Sequence, residues 1–205
     1  LAPLAAALPL SLVAGEARAQ TDYYNTDAGR PISVEDAYPI ERRAVELQLA
    51  PLRLARARGG VYTWGVEPEL AFGVLPRTQV EIGFPLSYAD LGAGRRSAGL
   101  AGLELAALHN LNVETSIPAL AVAAEALLPV GPLAPNDAYL TAKGIATKTF
   151  RWARFHVNGS YTVAPTGEAR DDDAADAAPH AELSRWTAGI AVDRTFPLRS
   201  LLVTA

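Results

Sequence analysis

Between residues 61 and 88 the chain alternates between apolar and polar at almost every step, and this period of two constrains the fold more than any other feature. Tyr62, Trp64, Val66, Leu70, Phe72 and Val74 stand at even positions with Pro68 among them, while Thr63, Gly65, Glu67, Glu69, Ala71 and Gly73 stand between them. After Leu75, Pro76, Arg77 and Thr78 the pattern resumes, with Val80, Ile82, Phe84, Leu86 and Tyr88 opposed to Gln79, Glu81, Gly83 and Ser87. Strand side chains point alternately to opposite faces, whereas a helix repeats about every 3.6 residues. The spacing therefore predicts a long β-hairpin with one apolar and one polar face. Pro68 cannot donate to a ladder and is expected to mark a bulge.

The same alternation returns at residues 155–163 and 184–192, and more weakly at 45–49, 103–105, 120–128 and 140–146. Alanine dilutes the weaker segments, and the Ala and Leu content of 99–108 and 119–128 also suits helices. The links favour strands. Short links carrying cations at 75–78, 151–154 and 196–199 interleave with longer ones at 89–97, 129–138 and 164–182, with 110–118 intermediate. Short turns on one rim, long loops on the other and strands of about ten residues are what a transmembrane antiparallel up-and-down β-barrel requires. Tyr62, Trp64, Phe72, Tyr88, Tyr139, Phe150, Phe155, Trp186 and Phe196 lie toward strand ends, as interfacial aromatic girdles do. In a soluble sandwich the same rings would form the core. Residues 41–205 are thus expected to supply about nine strands, the ninth beginning at Leu201. Because single-chain bacterial barrels use even strand numbers and an open edge cannot face lipid, the barrel is expected to be incomplete in this chain.

Residues 1–14 are an apolar run followed by Ala17 and Ala19 at alternate positions, the pattern that ends a secretory signal peptide, so 1–19 are expected to be removed. The run is shorter than the ~20 residues a membrane-spanning helix needs. The chain opens on Leu1 and holds no Met, which fits a fragment. Residues 20–40 read as a polar periplasmic or lumenal arm. A net charge of −4 and the absence of a basic stripe argue against nucleic-acid binding, and the absence of Cys removes disulfides, thiolate metal sites and thiol nucleophiles.

If the apolar faces point to lipid, Glu46, Gln48, Glu67, Glu69, Gln79, Glu81, Glu104 and Glu125 line one side of a lumen, followed by Lys143, His156 and Arg185. A carboxylate wall favours cations. The same acids could equally be structural partners of bases across a narrow, filled barrel. His156, Asn158 and Ser160 share one strand face at steps of about 7 Å, too far for a nucleophile-to-base hydrogen bond. Catalysis is not expected from them. Glu168, Asp171, Asp172, Asp173 and Asp176 offer oxygen donors but lack the spacing of a calcium loop, and read better as an exposed loop. His109 and His180 have no ligand-spaced partner, and no cofactor motif is present.

Residues 67–78, the stretch 108–115 and residues 143–159 (Lys143, Gly144, Ile145, Ala146, Thr147, Lys148, Thr149, Phe150, Arg151, Trp152, Ala153, Arg154, Phe155, His156, Val157, Asn158, Gly159) resemble outer-membrane transporters similar to the family named for the meta-pathway of phenol degradation. The resemblance covers roughly residues 40–163. It implies an outer-membrane channel or transporter for small, apolar or aromatic molecules, and carries no catalytic or binding residue across. The expected partners are outer-membrane lipids, an unidentified small solute and the outer-membrane assembly machinery. The alternative expectation is a structural or ligand-binding barrel, its lumen filled by the arm and the carboxylate network.

Overall fold

The computed structural model describes residues 34–49, 52–56, 62–90, 96–163 and 184–195, and the backbone of 202–204. The expected signal peptide, the first part of the arm, the acidic run at 168–176, His180 and the start of a strand at Leu201 lie outside the described residues. Every regular element among the described residues is a strand: β1 (Val45–Gln48), β2 (Arg53–Arg56), β3 (Tyr62–Val66), β4 (Glu69–Leu75), β5 (Thr78–Gly83), β6 (Leu86–Asp90), β7 (Arg96–Leu100), β8 (Leu103–Asn110), β9 (Ala119–Leu128), β10 (Tyr139–Thr149), β11 (Arg154–Val163), β12 (Arg185–Thr195) and β13 (Leu202–Thr204). The alanine-rich segments that also suited helices are β8 and β9.

All ladders are antiparallel, in a nine-stranded sheet ordered β1-β4-β5-β8-β9-β10-β11-β12-β13 and a four-stranded sheet ordered β2-β3-β6-β7. The smaller sheet continues the larger one lengthwise. Val66 pairs with Leu86 and Glu69 with Gly83, so the register between the two hairpin arms is the same on both sides of Pro68. The interruption is chemical. Phe84 N–H donates to the Pro68 carbonyl at 2.9 Å, but Pro68 has no N–H to return the bond. One strand over, Ala101 N–H donates to the Pro85 carbonyl at 2.7 Å, and Pro85 likewise returns nothing. The expected bulge at Pro68 is therefore a gap in the ladder without a slip. The slip lies beside Pro85, where Gly83 pairs with Glu104 but Leu86 pairs with Leu100, so residues 84–85 face residues 101–103. Gly102 sits in that bulge at φ 142°, a conformation that glycine adopts readily.

Joined across these gaps, the elements follow one another as neighbouring lines of a single meander. The meander is open: β1 and β13 edge the larger sheet, and no ladder joins them among the described residues. Strands β9 to β12 are 10, 11, 10 and 11 residues long. The links at residues 76–77, 111–118 and 150–153 lie at one end of the strands, called here the turn end, and the link at 129–138 lies at the other, the loop end. The intermediate 111–118 link is fastened by Asn112, which donates to the Pro118 carbonyl and accepts from Leu120 N–H at 2.9 and 2.8 Å.

Burial is inverted relative to a water-soluble sheet. Leu47, Leu140, Ile190 and Trp186 are 64, 57, 73 and 79% exposed, whereas Thr147 and His156 are 0% and Asp193 3% exposed. The buried apolar cluster among the described residues is Ala37, Leu108, Ala119, Ala121, Ala123 and Ile145, with Tyr38 packed against it. It lies on the polar face, beneath residues that precede the first strand.

Close approach of that leading segment fixes one glycine. Gly73 exchanges backbone bonds with Arg43 and Ala44 at 2.7 and 3.0 Å, and a Cβ there would run into the Glu41 carbonyl and lie 3.1 Å from the Arg42 Cα. Gly144 has nothing within 4 Å of the same position. Gly73→Val is expected to cost about 1–3 kcal/mol through overpacking, read as a lowered urea midpoint of unfolding in detergent. Gly144→Ala serves as a control expected to stay within about 0.5 kcal/mol of the parent.

Candidate functional site: the polar face and the segment across it

Directly opposed residues share a face, so the ladders trace rows across the sheet. One row runs Glu46, Ala71, Glu81, Ala106, Glu125, Thr141, Thr162 and Arg185. Its neighbour toward the loop end runs Gln48, Glu69, Gly83, Glu104 and Leu127, and its neighbour toward the turn end runs Gly73, Gln79, Leu108, Ala123, Lys143 and Ser160. His156 lies farther toward the turn end, between Thr147 and Ala191. Glu67 lies two residues before Glu69, in the unbroken register. These eleven residues thus share one face of the meander. In the first row alanine separates each glutamate from the next, which places like charges about 10 Å apart rather than in direct opposition.

The structure joins some of these residues and not others. Lys143 pairs with Glu35 at 3.3 Å and closely with Glu125. Gln79 donates from Nε2 to Glu81, and its Oε1 accepts from Ile40 N–H at 2.7 Å. Glu67 pairs with Arg53 at 3.4 Å. Arg185 stays exposed at the end of its row. His156 is held between neighbouring strands, Nε2 2.9 Å from Asp193 and Nδ1 3.1 Å from Thr147. Arg154 donates to both Asp193 oxygens at 3.0 and 2.8 Å. Ser160 instead bonds Thr187, and the buried Asn158 Oδ1 has no hydrogen-bond partner. His156 is fully buried between these two partners. Among the described residues, no group of three or more His, Cys, Asp or Glu is placed to hold a metal ion.

The largest feature absent from the sequence pattern is the path of residues 34–41. They cross the polar face without forming a ladder, tied by side chains of the wall. Ala37 N–H donates to Thr147 Oγ1 at 2.9 Å, and Asn110 Nδ2 donates to the Ala37 carbonyl at 2.8 Å. With the Ile40 bond to Gln79, these place the segment over β10, β8 and β5. At one end Val34 reaches Gly189 on β12, where a Cβ would lie 2.7 Å from Val34 Cγ2, and at the other Glu41 covers Gly73 on β4. Asp36 approaches Arg154 at 3.9 Å and Glu35 takes Lys143. Each neutral bond of this kind is worth about 0.5–1.5 kcal/mol net, so fixation comes from their number. The signal available in the sequence was the run of small residues on the polar face, Ala119, Ala121 and Ala123, which leaves room for another segment of chain.

At the turn end, Glu114 fastens the segment. Its Oε2 accepts from the Tyr38 hydroxyl at 2.8 Å, its Oε1 accepts from Thr149 N–H at 2.8 Å, and Lys148 lies 3.1 Å away. Partial burial opposes ionisation of Glu114, but the bonds from Thr149, Tyr38 and Lys148 outweigh it and hold the carboxyl at about 2. Burial, and then the bond to Glu114, push the Tyr38 hydroxyl well above its ordinary range, so it remains a donor.

Compared with known proteins, the chain matches no family model, no curated protein and no solved structure. The functional reading therefore rests on this geometry.

The Glu114 carboxyl falls below its ordinary 4.5 on folding, so its contribution is complete above that pH and is lost as the pH drops toward 2. The protection factor of the Thr149 amide against hydrogen exchange is expected to hold above pH 4.5 and to fall between there and about 2. Glu114→Gln is expected to flatten that dependence. An unchanged profile in the variant would assign the titration to another group.

Proposed function

We propose that this chain is part of an outer-membrane β-barrel whose polar face lines a passage for small solutes. The observation that carries the reading is the inverted burial: the face of Leu47, Leu140, Ile190 and Trp186 is exposed while the face of Thr147, His156 and Asp193 is buried. In water a sheet buries its apolar face, and exposed apolar patches larger than a few hundred Å² are rare. In a bilayer the apolar face is the outer one. Strands β9 to β12 have the lengths needed, since about 9–11 tilted residues span the hydrocarbon. In this reading β1 and β13, the edges of the larger sheet among the described residues, are paired in the membrane, because an unpaired ladder edge in lipid leaves amides without partners. Export by the expected signal peptide and insertion by the outer-membrane assembly machinery belong to this reading.

Charge on the polar face supports a preference among solutes. Glu46, Glu67, Glu69, Glu81, Glu104 and Glu125 share it with Lys143, which two carboxylates engage, with Arg53 and Arg154, paired to Glu67 and Asp193, and with the exposed Arg185, so that acids outnumber bases. Such a wall raises the local concentration of cations. A second reading, a filled barrel without transport, is favoured by the segment 34–41, which occupies part of the same face.

The test begins with the full-length gene expressed with its own leader. A heat-modifiable band in the outer-membrane fraction is expected, as is a conductance in planar bilayers whose reversal potential in a KCl gradient lies on the potassium side. Glu81→Gln with Glu125→Gln is expected to move that potential toward zero. A soluble periplasmic product would overturn the membrane reading, and a folded barrel that carries no current would leave the filled barrel in its place.

A further inference from the structure

We infer that residues 34–41 are the narrowest part of the passage and set the size of the solutes that cross it. The inference rests on the channel reading above and adds the element that limits it. On β5 the segment meets Gln79, and on β8 it meets Asn110, both close to the turn end. Glu81 and Glu104 lie farther along the same strands toward the loop end. The segment therefore stands between the acid rows and the turn end, and a solute moving along the polar face reaches it after passing the carboxylates.

The seat is closed to solvent. Ala37 packs on Leu108, Ala119, Ala121, Ala123 and Ile145, and Ala119 and Ala121 are 0 and 2% exposed beneath it. The crossing extends from Gly189 on β12 to Gly73 on β4, most of the width of the larger sheet. It is nevertheless held differently from a strand. Its middle hangs on the side chains of Thr147, Asn110 and Gln79 and on the Tyr38 to Glu114 bond, none of which belongs to a ladder. The side-chain ties can be removed while the strand pairing stays in place, which makes the segment separable from the wall.

The chain has no cysteine, so Ala121→Cys introduces a single thiol beneath the segment. Full-length protein carrying it is placed in liposomes and planar bilayers with the segment either intact or released by Asn110→Ala with Thr147→Val. With the segment intact the thiol is expected to resist a water-soluble maleimide. On release it is expected to label quickly, single-channel conductance to rise severalfold, and larger sugars to enter in swelling assays. If release exposes the thiol but leaves conductance and size limit unchanged, the segment is a brace and the inference fails while the channel reading stands. A thiol that labels equally fast in both forms also overturns it. If heat-modifiable protein passes nothing in either form, the channel reading itself fails. Should the double variant give no heat-modifiable band, Tyr38→Phe, which removes only the fastening to Glu114, is judged by the same outcomes.

Discussion

A polar group taken out of water must find a partner, and the buried face of this sheet is polar. That requirement organises most of it, the Asn158 Oδ1 being an exception. Lys143 stands between two carboxylates, Asp193 collects His156 and Arg154, and Gln79 shares itself between Glu81 and the Ile40 amide. The segment 34–41 answers the same need, since wall side chains bond the Ala37 amide and carbonyl and the Ile40 amide, and Glu35 and Asp36 approach wall cations. Removing Asp193 would leave a buried guanidinium and imidazole without their shared acceptor, the kind of loss that costs about 3–5 kcal/mol. The exposed face is mostly apolar among the described residues, with the Asp90 and Arg96 pair at its loop end.

The two faces also explain why the sheet is built from unequal residues. The exposed apolar face holds large side chains such as Leu47, Leu140 and Ile190. On the polar face of β9, Ala119, Ala121 and Ala123 are small where a second layer of chain lies on them, and the glutamates of the row from Glu46 to Glu125 are spaced by alanine. The prolines at 68 and 85 each remove one donor, and together with the slip beside Pro85 they accompany the division of the first four lines of the meander into two sheets.

Much of this was legible in the sequence where the determinant is local. Alternation at 61–88, 155–163 and 184–192 gave strands and faces, because the period of two depends on adjacent residues alone. The placement of the eleven polar residues on one face follows from the same arithmetic. Pro68 announced a disturbance, but the slip lies between the next two lines, where Pro85 also lacks a donor and Gly102 sits in the bulge. The long-range pairings were not legible. Ala37 and Thr147 are 110 residues apart, Tyr38 and Glu114 76, and His156 and Asp193 37, and no local pattern encodes such meetings. The alanines that weakened the β signal in β9 are the ones that seat the segment, so the tertiary role blurred the local one.

The central claim is that the apolar face meets lipid, and the three tryptophans report on it directly. Trp64, Trp152 and Trp186 are all exposed, at 45, 59 and 79%. The decisive measurement is tryptophan fluorescence of the folded protein in vesicles whose acyl chains carry bromine, compared with the same protein titrated with aqueous iodide. Strong quenching by the brominated chains with little effect of iodide is the expected result. Full quenching by iodide with none from the brominated chains would contradict it, and would return the apolar face to the interior of a water-soluble assembly.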